Sequence, residues 1–276
     1  MAALIASGPE ELELDLLLEA LYQRHGYDFR GYERRAVRAR VHRLMAQRAL
    51  RTVSQLQDQV LHDAQASAAL LRLFASPGTP MFDDPGQGPI LRRAIVASLG
   101  GCALPRVWLP ECRGAEEAWS LAIVLEEQRL LAHTEIFATA ANEQALADMQ
   151  GASIPVERLA EYQENYLKSG GRASLADHLD ISGKRATLRR HLQQRITWSQ
   201  YNLVTDASFN EFALIVNGSA LDEFGPVLRQ RVLRLFHDSL ARFGVLGLGT
   251  PLLTSDAIAP NYRALDQAQP WYKRII

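Results

Sequence analysis

The chain has 276 residues, of which 47% are apolar and 22% charged, so it can bury one large or two modest hydrophobic cores. Its 30 basic and 31 acidic side chains give a formal net charge of −1, which offers no global support for nucleic-acid binding. Two cysteines, Cys102 and Cys112, are too few for a disulfide framework or a cysteine-based zinc site. The absence of a secretory leader pattern and of a run of about 18 apolar residues predicts a cytoplasmic protein with no membrane span.

Helical periodicity dominates the first 75 residues. Residues 10–24 predict a helix that Gly26 ends. Its predicted inward face consists of Leu12, Leu16, Leu17, Ala20 and Leu21. Residues 31–49 predict a second helix, whose buried stripe consists of Val37, Val41, Leu44 and Met45. Apolar residues between 52 and 75 predict further short helices, so we expect a small helical domain over residues 1–75.

The second predicted helix is unusually basic for a nearly neutral chain. Eight arginines and a single acid, Glu33, occur between residues 30 and 51. One interpretation is a solvated face that partly pairs with the acidic first helix. The other is a docking surface for an acidic protein partner, because arginine binds carboxylates with two parallel hydrogen bonds. The candidate partner-binding residues are Arg34, Arg35, Arg38, Arg40 and Arg43.

Residues 76–89 contain four prolines and three glycines and predict a linker. A helix at 90–99 follows, then a strand at 107–109, a turn at Pro110 and a helix through Leu125. Further strands are predicted at 134–139, 212–216, 245–248 and 271–274, with a helix at 227–243 whose inward face includes Val227. Alternating strands and helices predict an α/β domain over 90–276, in which ligands bind at the carboxyl ends of the strands.

Residues 151–200 predict a small inserted subdomain. It contains a helix near 156–167 and strand-like segments at 178–181 and 196–198. A second basic cluster, KRATLRRH, lies at 184–191 between the two strands. It predicts a solvated basic turn.

Two stretches resemble the CheR family of chemotaxis receptor methyltransferases. WLPECRGAEEAWS at 108–120 is similar to that family's WSAGCATGEEPYS, with matches at Trp108, Cys112, Glu116, Glu117 and Ser120. GYERRAVRARVHRLM at 31–45 is similar to its basic N-terminal helix. The resemblance implies a helical domain followed by a Rossmann-like, S-adenosylmethionine-dependent domain that methylates receptor glutamates. It also implies a chemoreceptor or another signalling protein as the acidic partner. In some members of the family, the subdomain that corresponds to residues 151–200 binds a receptor tail peptide by adding a strand to its edge, which is the alternative role for the basic cluster.

The resemblance carries over a set of cofactor contacts. The loop PGTPMFDD at 77–84 is similar to the family's N-x-T-x-F-F-R, and YNL at 201–203 to its H-N-L. The implied cofactor-binding residues are Thr79, Glu116, Glu117, Asn202 and Leu203.

Five other pocket positions depart from the family's wording. Glu111 stands in place of a glycine, and a side chain there fills space that a cofactor would use. Ala140 replaces the aspartate that holds the ribose hydroxyls. Asp83 replaces an arginine that faces the substrate carboxylate, and Gly218 and Ser219 replace an Arg-Asn pair after the fourth strand. These positions predict a degenerate catalytic site.

Three hypotheses follow. The first is a catalytically degenerate CheR-like protein that acts as a binding, scaffold or regulatory component in bacterial chemosensory signalling and needs no cofactor. The second is an active glutamate O-methyltransferase that still binds S-adenosylmethionine. The third is a cleft that binds another anion, such as a nucleotide second messenger. The sequence has no metal-ligand, P-loop or Ser-His-Asp pattern that favours other chemistry.

Overall fold

A computed structural model describes residues 8–74, 78–84, 86–141, 143–218 and 221–276. The chain divides into a helical unit, Met1–Ser76 with Leu221–Arg229, and a sheet unit, Pro77–Ala220 with Gln230–Ile276. The domain bounds expected from the sequence, 1–75 and 90–276 with a linker at 76–89, remain a prediction. Among the described residues, no helix is long and apolar enough to cross a membrane.

The helical unit consists of α1 (Pro9–His25), α2 (Arg34–Gln47), α3 (Val53–His62) and α4 (Ala64–Phe74). Gly26 ends α1 in the left-handed conformation, with a φ of 74°. Thr52 starts α3 with a capping box that it forms with Gln55. The predicted stripe of α2 is confirmed, because all four of its apolar residues are buried.

The predicted inward face of α1 is wrong in part. Leu12 and Leu16 are 57% and 49% exposed. The buried residues are Leu14, Leu17, Leu18 and Leu21. These four follow the spacing i, i+3, i+4, i+7 of a single helical face, and the leucines of α1 outnumber the positions on that face.

The remaining helices, in chain order, are α5 (Gly88–Leu99), α6 (Ala115–Glu127), α7 (Glu143–Gln150), α8 (Leu159–Lys168), α9 (Arg190–Gln193) and α10 (Pro226–Ser239). The strands are β1 (Arg106–Leu109), β2 (Glu135–Ala140), β3 (Ile154–Pro155), β4 (Leu179–Ser182), β5 (Arg185–Leu188), β6 (Ile196–Gln200), β7 (Phe212–Asn217), β8 (Leu240–Leu248), β9 (Tyr262–Ala264) and β10 (Trp271–Arg274). Short 3-10 turns occur at Leu131–His133, Val156–Arg158, Leu175–His178, Leu221–Glu223 and Ala259–Asn261.

In the described part of the chain, seven strands form one sheet in the order β6-β2-β1-β7-β8-β10-β9. Strands β6, β2, β1, β7 and β8 pair in parallel, and β10 is antiparallel to β8. Parallel pairing brings the carboxyl ends of β1, β2, β6 and β7 to one edge of the sheet. Most of the predicted site residues lie in the loops that directly follow these strands. The predicted fold class, a helical domain followed by a Rossmann-like α/β domain, is confirmed.

Beneath that edge, an aromatic cluster anchors the sheet. Trp108 is fully buried and stacks on Phe212 at a centroid distance of 5.2 Å. Its indole N–H donates to the hydroxyl of Thr139 at 3.0 Å, which ties β1 to β2. The first strand therefore has a fixed position relative to its neighbours.

Three predicted elements differ from the structure. Ile196–Gln200 pairs with β2 in the large sheet, so the small sheet contains only β3, β5 and β4, and the basic cluster is largely β5 and α9. Helix α10 ends at Ser239, because Leu240 already pairs with Phe212 of β7. Val227 is 86% exposed rather than buried, since it lies in the first turn of α10.

Candidate functional site

The turn between β1 and α6 keeps a backbone that suits glycine. Glu111 has a φ of 48°, in the left-handed region that costs a residue with a side chain about 1–2 kcal/mol. The backbone N–H of Cys112 donates to the carbonyl of Thr139 at 2.8 Å. This bond holds the turn beside the end of β2 and fixes the conformation of Glu111 despite its cost.

Helix α6 begins directly after this turn, with Gly114 as its N-cap and Glu116 and Glu117 in its first turn. Acidic residues there interact favourably with the helix dipole. The carboxylate of Glu117 accepts a hydrogen bond from the backbone N–H of Arg113 at 3.0 Å. The Glu117 side chain is only 17% exposed, and burial raises its pKa while the charge of Arg113 acts in the opposite direction.

Arg113 reaches from this turn towards the end of β7. A Cβ atom added at Gly218 would lie 2.9 Å from Nη2 of Arg113 and 3.1 Å from Oε1 of Glu117. A larger residue at position 218 would displace the guanidinium. The Nε atom of Arg113 is buried and has no hydrogen-bond partner among the described residues. Its separation from Oε2 of Glu117 is 3.8 Å, an ion-pair distance too long for a hydrogen bond.

The loop before α5 forms another wall of the site. The N–H of Phe82 donates to the hydroxyl of Ser120 at 3.1 Å, and the side-chain amide of Asn165 donates to the carbonyl of Met81 at 3.3 Å. Phe82 itself has a φ of 54°, so the loop is held in a strained conformation by its contacts. Burial raises the pKa of the next residue, Asp83, against the opposing charge of Arg113.

These elements enclose a cavity of about 280 Å³ in the sheet unit. The charged residues that line it are Asp83, Asp84, Arg113 and Glu117. Much of the rest of its lining is apolar and comes from Phe82, Leu91, Leu109, Leu121, Val216 and Trp271. Gly218 lies at the end of β7 on the same wall. The structure thus brings Asp83, Glu117 and Gly218 of the predicted site together.

The predicted cofactor contacts on the other side of the sheet edge lie apart from this cavity. The carbonyl of Ala140 accepts from the N–H of Tyr201 at 2.9 Å, which places Asn202 beside the end of β2. The side-chain oxygen of Asn202 accepts from the N–H of Val204 at 2.8 Å, so it already stabilises its own turn. Leu203 is fully buried, and Ala140 has no side-chain acceptor for a ribose hydroxyl.

Two further residues of the predicted site are Thr79 and Ser219. The hydroxyl of Thr79 is buried and has no hydrogen-bond partner within the described ranges. Ser219 lies outside the described residues. Within those ranges, no group of three or more His, Cys, Asp or Glu side chains is placed to hold a metal ion.

Sequence reasoning missed Arg113. A sequence feature pointed to it: Arg113 stands where the family motif has an alanine, whereas the family's arginines at positions 83 and 218 are absent from this chain. Only the fold shows that positions 83, 113 and 218 line one cavity. Trp271 was predicted only as part of the last strand, and its place in the cavity wall carried no sequence signal.

The basic face of α2 is largely paired within the helical unit. Arg34 lies 3.7 Å from Glu11, and Arg38 lies 3.3 Å from Glu10, both acids being on α1. Arg40 binds the carboxylate of Glu223 at 2.6 Å and the carbonyl of Leu73 at 2.8 Å. The remaining predicted partner-binding residues, Arg35 and Arg43, are exposed and form no ion pair in the part of the chain that the structure describes.

The chain is similar to known proteins over most of its length. The chain matches the all-alpha domain of the CheR methyltransferases over residues 12–75 and their SAM-binding domain over residues 90–262. A Pseudomonas putida protein that bears the methyltransferase name Cher3 is 34% identical over 87% of this chain and 88% of its own length. A chemotaxis protein methyltransferase of Listeria innocua is 23% identical over 81% of this chain and 83% of its own. A solved structure from Listeria monocytogenes, assigned to the class I S-adenosylmethionine-dependent methyltransferases, has 13% identity and a TM-score of 0.40 over 96% of this chain and 86% of that one. The chain therefore belongs to the CheR methyltransferase family.

Proposed function

We propose that this protein is a catalytically degenerate CheR-type methyltransferase that acts as a binding or regulatory component in bacterial chemosensory signalling. The observation that carries the proposal is the position of Arg113. Its side chain reaches across the cleft to Gly218 and pairs with Glu117, so groups of the chain itself fill space at the carboxyl edge of the sheet. The match to chemotaxis methyltransferases supports the signalling context.

S-adenosylmethionine does not fit the residues at this edge. Glu111 occupies a left-handed turn position where the family has glycine, and its carboxylate adds a negative charge to the turn. Ala140 cannot accept the hydrogen bonds of a ribose. Losing a charged acceptor for a hydroxyl weakens binding by about 1.5–3 kcal/mol, or roughly tenfold to a hundredfold. Glu111 and Ala140 act on separate parts of one ligand, so their effects should add.

The cleft also disfavours an anionic substrate. Three carboxylates, those of Asp83, Asp84 and Glu117, face one guanidinium in the lining of the cavity. A receptor glutamate or a nucleotide phosphate would meet Asp83 where the family places an arginine. This charge balance argues against both glutamate methylation and the hypothesis of a replacement anion such as a nucleotide second messenger.

The helical unit keeps exposed arginines that could bind an acidic partner such as a chemoreceptor. Arg35 and Arg43 lie on the exposed face of α2, and the side chains between them include the small Ala36 and Ala39. Two unpaired guanidinium groups two helical turns apart suit carboxylates on a facing helix. We therefore assign docking to Arg35 and Arg43, while Arg34, Arg38 and Arg40 serve mainly internal ion pairs.

The test is titration calorimetry of the full chain with S-adenosylmethionine and with S-adenosylhomocysteine. We expect no binding heat at high-micromolar ligand. The double variant Glu111→Gly/Ala140→Asp, which restores the family's residues, should gain measurable affinity for both ligands. The variant Glu143→Gln, on the surface of α7, should behave like the unmodified chain. Micromolar binding by the unmodified chain would overturn the proposal.

A second candidate function, an active S-adenosylmethionine-dependent methyltransferase, has one observation in its favour. The buried hydroxyl of Thr79 has no partner in the described part of the chain, as expected of a group that bonds a ligand. Transfer of labelled methyl groups to a chemoreceptor cytoplasmic fragment would establish this function, and loss of transfer in Thr79→Val would assign the hydroxyl a role.

A further inference from the structure

A second cavity, of about 180 Å³, lies elsewhere in the sheet unit, between α6, α7, α9 and β6. Its lining includes Trp119, Met149, Gln150, Gln193, Ile196 and Trp198, and we call it the tryptophan cavity. It shares no lining residue with the cavity beside Gly218. Ile196 is the first residue of β6, so the tryptophan cavity lies near the amino end of that strand and away from the carboxyl edge of the sheet.

The four tryptophans of the chain differ in the hydrogen bonding of their indole N–H groups. Those of Trp108 and Trp271 each donate to a side-chain oxygen of the chain, at 3.0 Å and 3.2 Å. Those of Trp119 and Trp198 donate to no acceptor among the described residues. Trp119 is only 3% exposed, and a buried indole N–H normally has a hydrogen-bond partner. The two unmatched indole donors thus belong to the two tryptophans that line the tryptophan cavity.

Both indoles remain open to a ligand in this cavity. The nitrogen of Trp119 is not one of the fully buried polar atoms that lack a partner in the described part of the chain, so it keeps accessible surface. Trp108 stacks on Phe212 in the core, whereas Trp119 and Trp198 form no ring contact within the described ranges. Although they line one cavity, the two indoles therefore do not close it by stacking on each other.

Glutamine amides supply the other polar groups of the lining. The side-chain nitrogen of Gln193 donates to the carbonyl of Leu188, which orients this amide and leaves its oxygen for another donor. The amide of Gln150 is exposed and forms no hydrogen bond with the described residues. None of the lining residues carries a charge. The cavity therefore offers hydrogen-bond donors and acceptors but no partner for an ion.

We propose that the tryptophan cavity binds a free, uncharged purine base. Ring nitrogens or carbonyl oxygens of the base accept from the indole N–H groups of Trp119 and Trp198, and the amide of Gln150 pairs with its polar edge. An aliphatic molecule or an aromatic hydrocarbon would leave both N–H groups without an acceptor, and a phosphate would find no cation.

The size of the cavity agrees with this ligand class. Its volume lies below the range typical of drug-sized ligands, so it suits a single fused ring rather than a nucleotide. The inference goes beyond the proposed function and does not depend on it, because the tryptophan cavity is separate from the carboxyl edge where a methyl donor would lie.

The experiment is calorimetry of the full chain with adenine and with hypoxanthine, together with tryptophan fluorescence. Two fused-ring probes isolate the hydrogen bonds, since benzimidazole has a ring nitrogen that accepts and indole has none. We expect saturable binding of at least one base, and benzimidazole should bind about threefold to tenfold more tightly than indole. No binding of either base at millimolar concentration, or equal affinity for the two probes, would overturn the inference.

A nucleotide arm separates the free base from a base that carries a phosphate. Adenosine monophosphate should bind more weakly than adenine, because its phosphate finds no cation in the lining. Affinity for the monophosphate equal to or above that for adenine would overturn the assignment to a free base.

Substitutions locate the site. Trp198→Phe keeps an aromatic ring but removes the N–H, and Gln150→Met keeps the length of the side chain but removes the amide. Each should weaken binding of the base about threefold to tenfold. The matched control Gln144→Met changes another exposed glutamine of α7, outside the lining, and should leave affinity unchanged.

Trp119→Phe tests the second indole N–H, with the same expected loss. Trp119 is buried whereas Trp198 is partly exposed, so Trp198→Phe decides the matter if Trp119→Phe does not fold. A base that bound at the carboxyl edge instead would be insensitive to Trp198→Phe and Gln150→Met. Unchanged affinity in either of these variants would contradict the assignment, whatever the result of titration with S-adenosylmethionine.

Discussion

The paired helices α1 and α2 and the cavity beside Gly218 use their charges differently. On the helices, Arg34 and Arg38 meet acids of α1 at the surface, where the arginine side chains are 35% and 41% exposed. In the cavity, Arg113 and Glu117 form an ion pair whose side chains are only 22% and 17% exposed. Water screens the first set of charges and little screens the second. A few poorly hydrated charges therefore indicate a binding site better than a dense but solvated cluster of charges does.

The largest expected effect is on the stability of the cavity. Arg113→Leu should lower the free energy of unfolding by about 1–3 kcal/mol, because Glu117 then remains mostly buried without a nearby guanidinium. Urea denaturation at neutral pH measures this change. The double variant Arg113→Leu/Glu117→Leu should recover part of the loss, since it removes the uncompensated charge. A single variant as stable as the unmodified chain would show that the pair contributes nothing.

The pH dependence of stability gives a smaller effect of defined sign. Burial raises the pKa of Glu117 above its ordinary value of 4.5, so the folded protein retains a proton that the unfolded chain releases. Its contribution to stability is therefore present below about pH 4.5 and is lost as the pH rises through the raised pKa.

Glu117→Gln should remove this contribution. Between pH 5 and pH 8, we expect the variant's free energy of unfolding to fall less than that of the unmodified chain. Denaturation series at both pH values measure the difference, with Glu143→Gln on the exposed part of α7 as the control. Identical slopes for Glu117→Gln and the unmodified chain would contradict the burial of this charge.

The smallest expected effect concerns the helix pair. The triple variant Glu10→Gln/Glu11→Gln/Asp15→Asn removes the acids that face Arg34 and Arg38 and should cost at most about 1 kcal/mol, less at high salt. It should also bind poly-L-glutamate more tightly, because it frees two arginines. Arg35→Gln/Arg43→Gln should bind the same polymer more weakly than the unmodified chain. If only the triple variant changes affinity, docking does not use Arg35 and Arg43.

The sequence determined the elements and the family. Periodic apolar residues define α2 and its buried stripe, Gly26 ends α1, and the strand-turn-helix around Glu111 carries the resemblance that the domain matches confirm. These features are local, since they depend on spacing within one helix or on the chemistry of one turn. The sequence was less informative on α1, where several faces of the helix are equally apolar. It was also less informative for β6, which was expected in the small sheet and lies in the large one.

The tertiary structure decided which charges are partners. The sequence position of Arg113 does not indicate that its guanidinium lies near Gly218 or that its charge affects the pKa of Asp83. These residues belong to different elements, which parallel strand pairing brings to one edge of the sheet. The same holds for the arginines of α2, whose neighbours on α1 and at Glu223 are set by helix packing. Electrostatic energy depends on distance and hydration in space, and both are fixed only after the chain has folded.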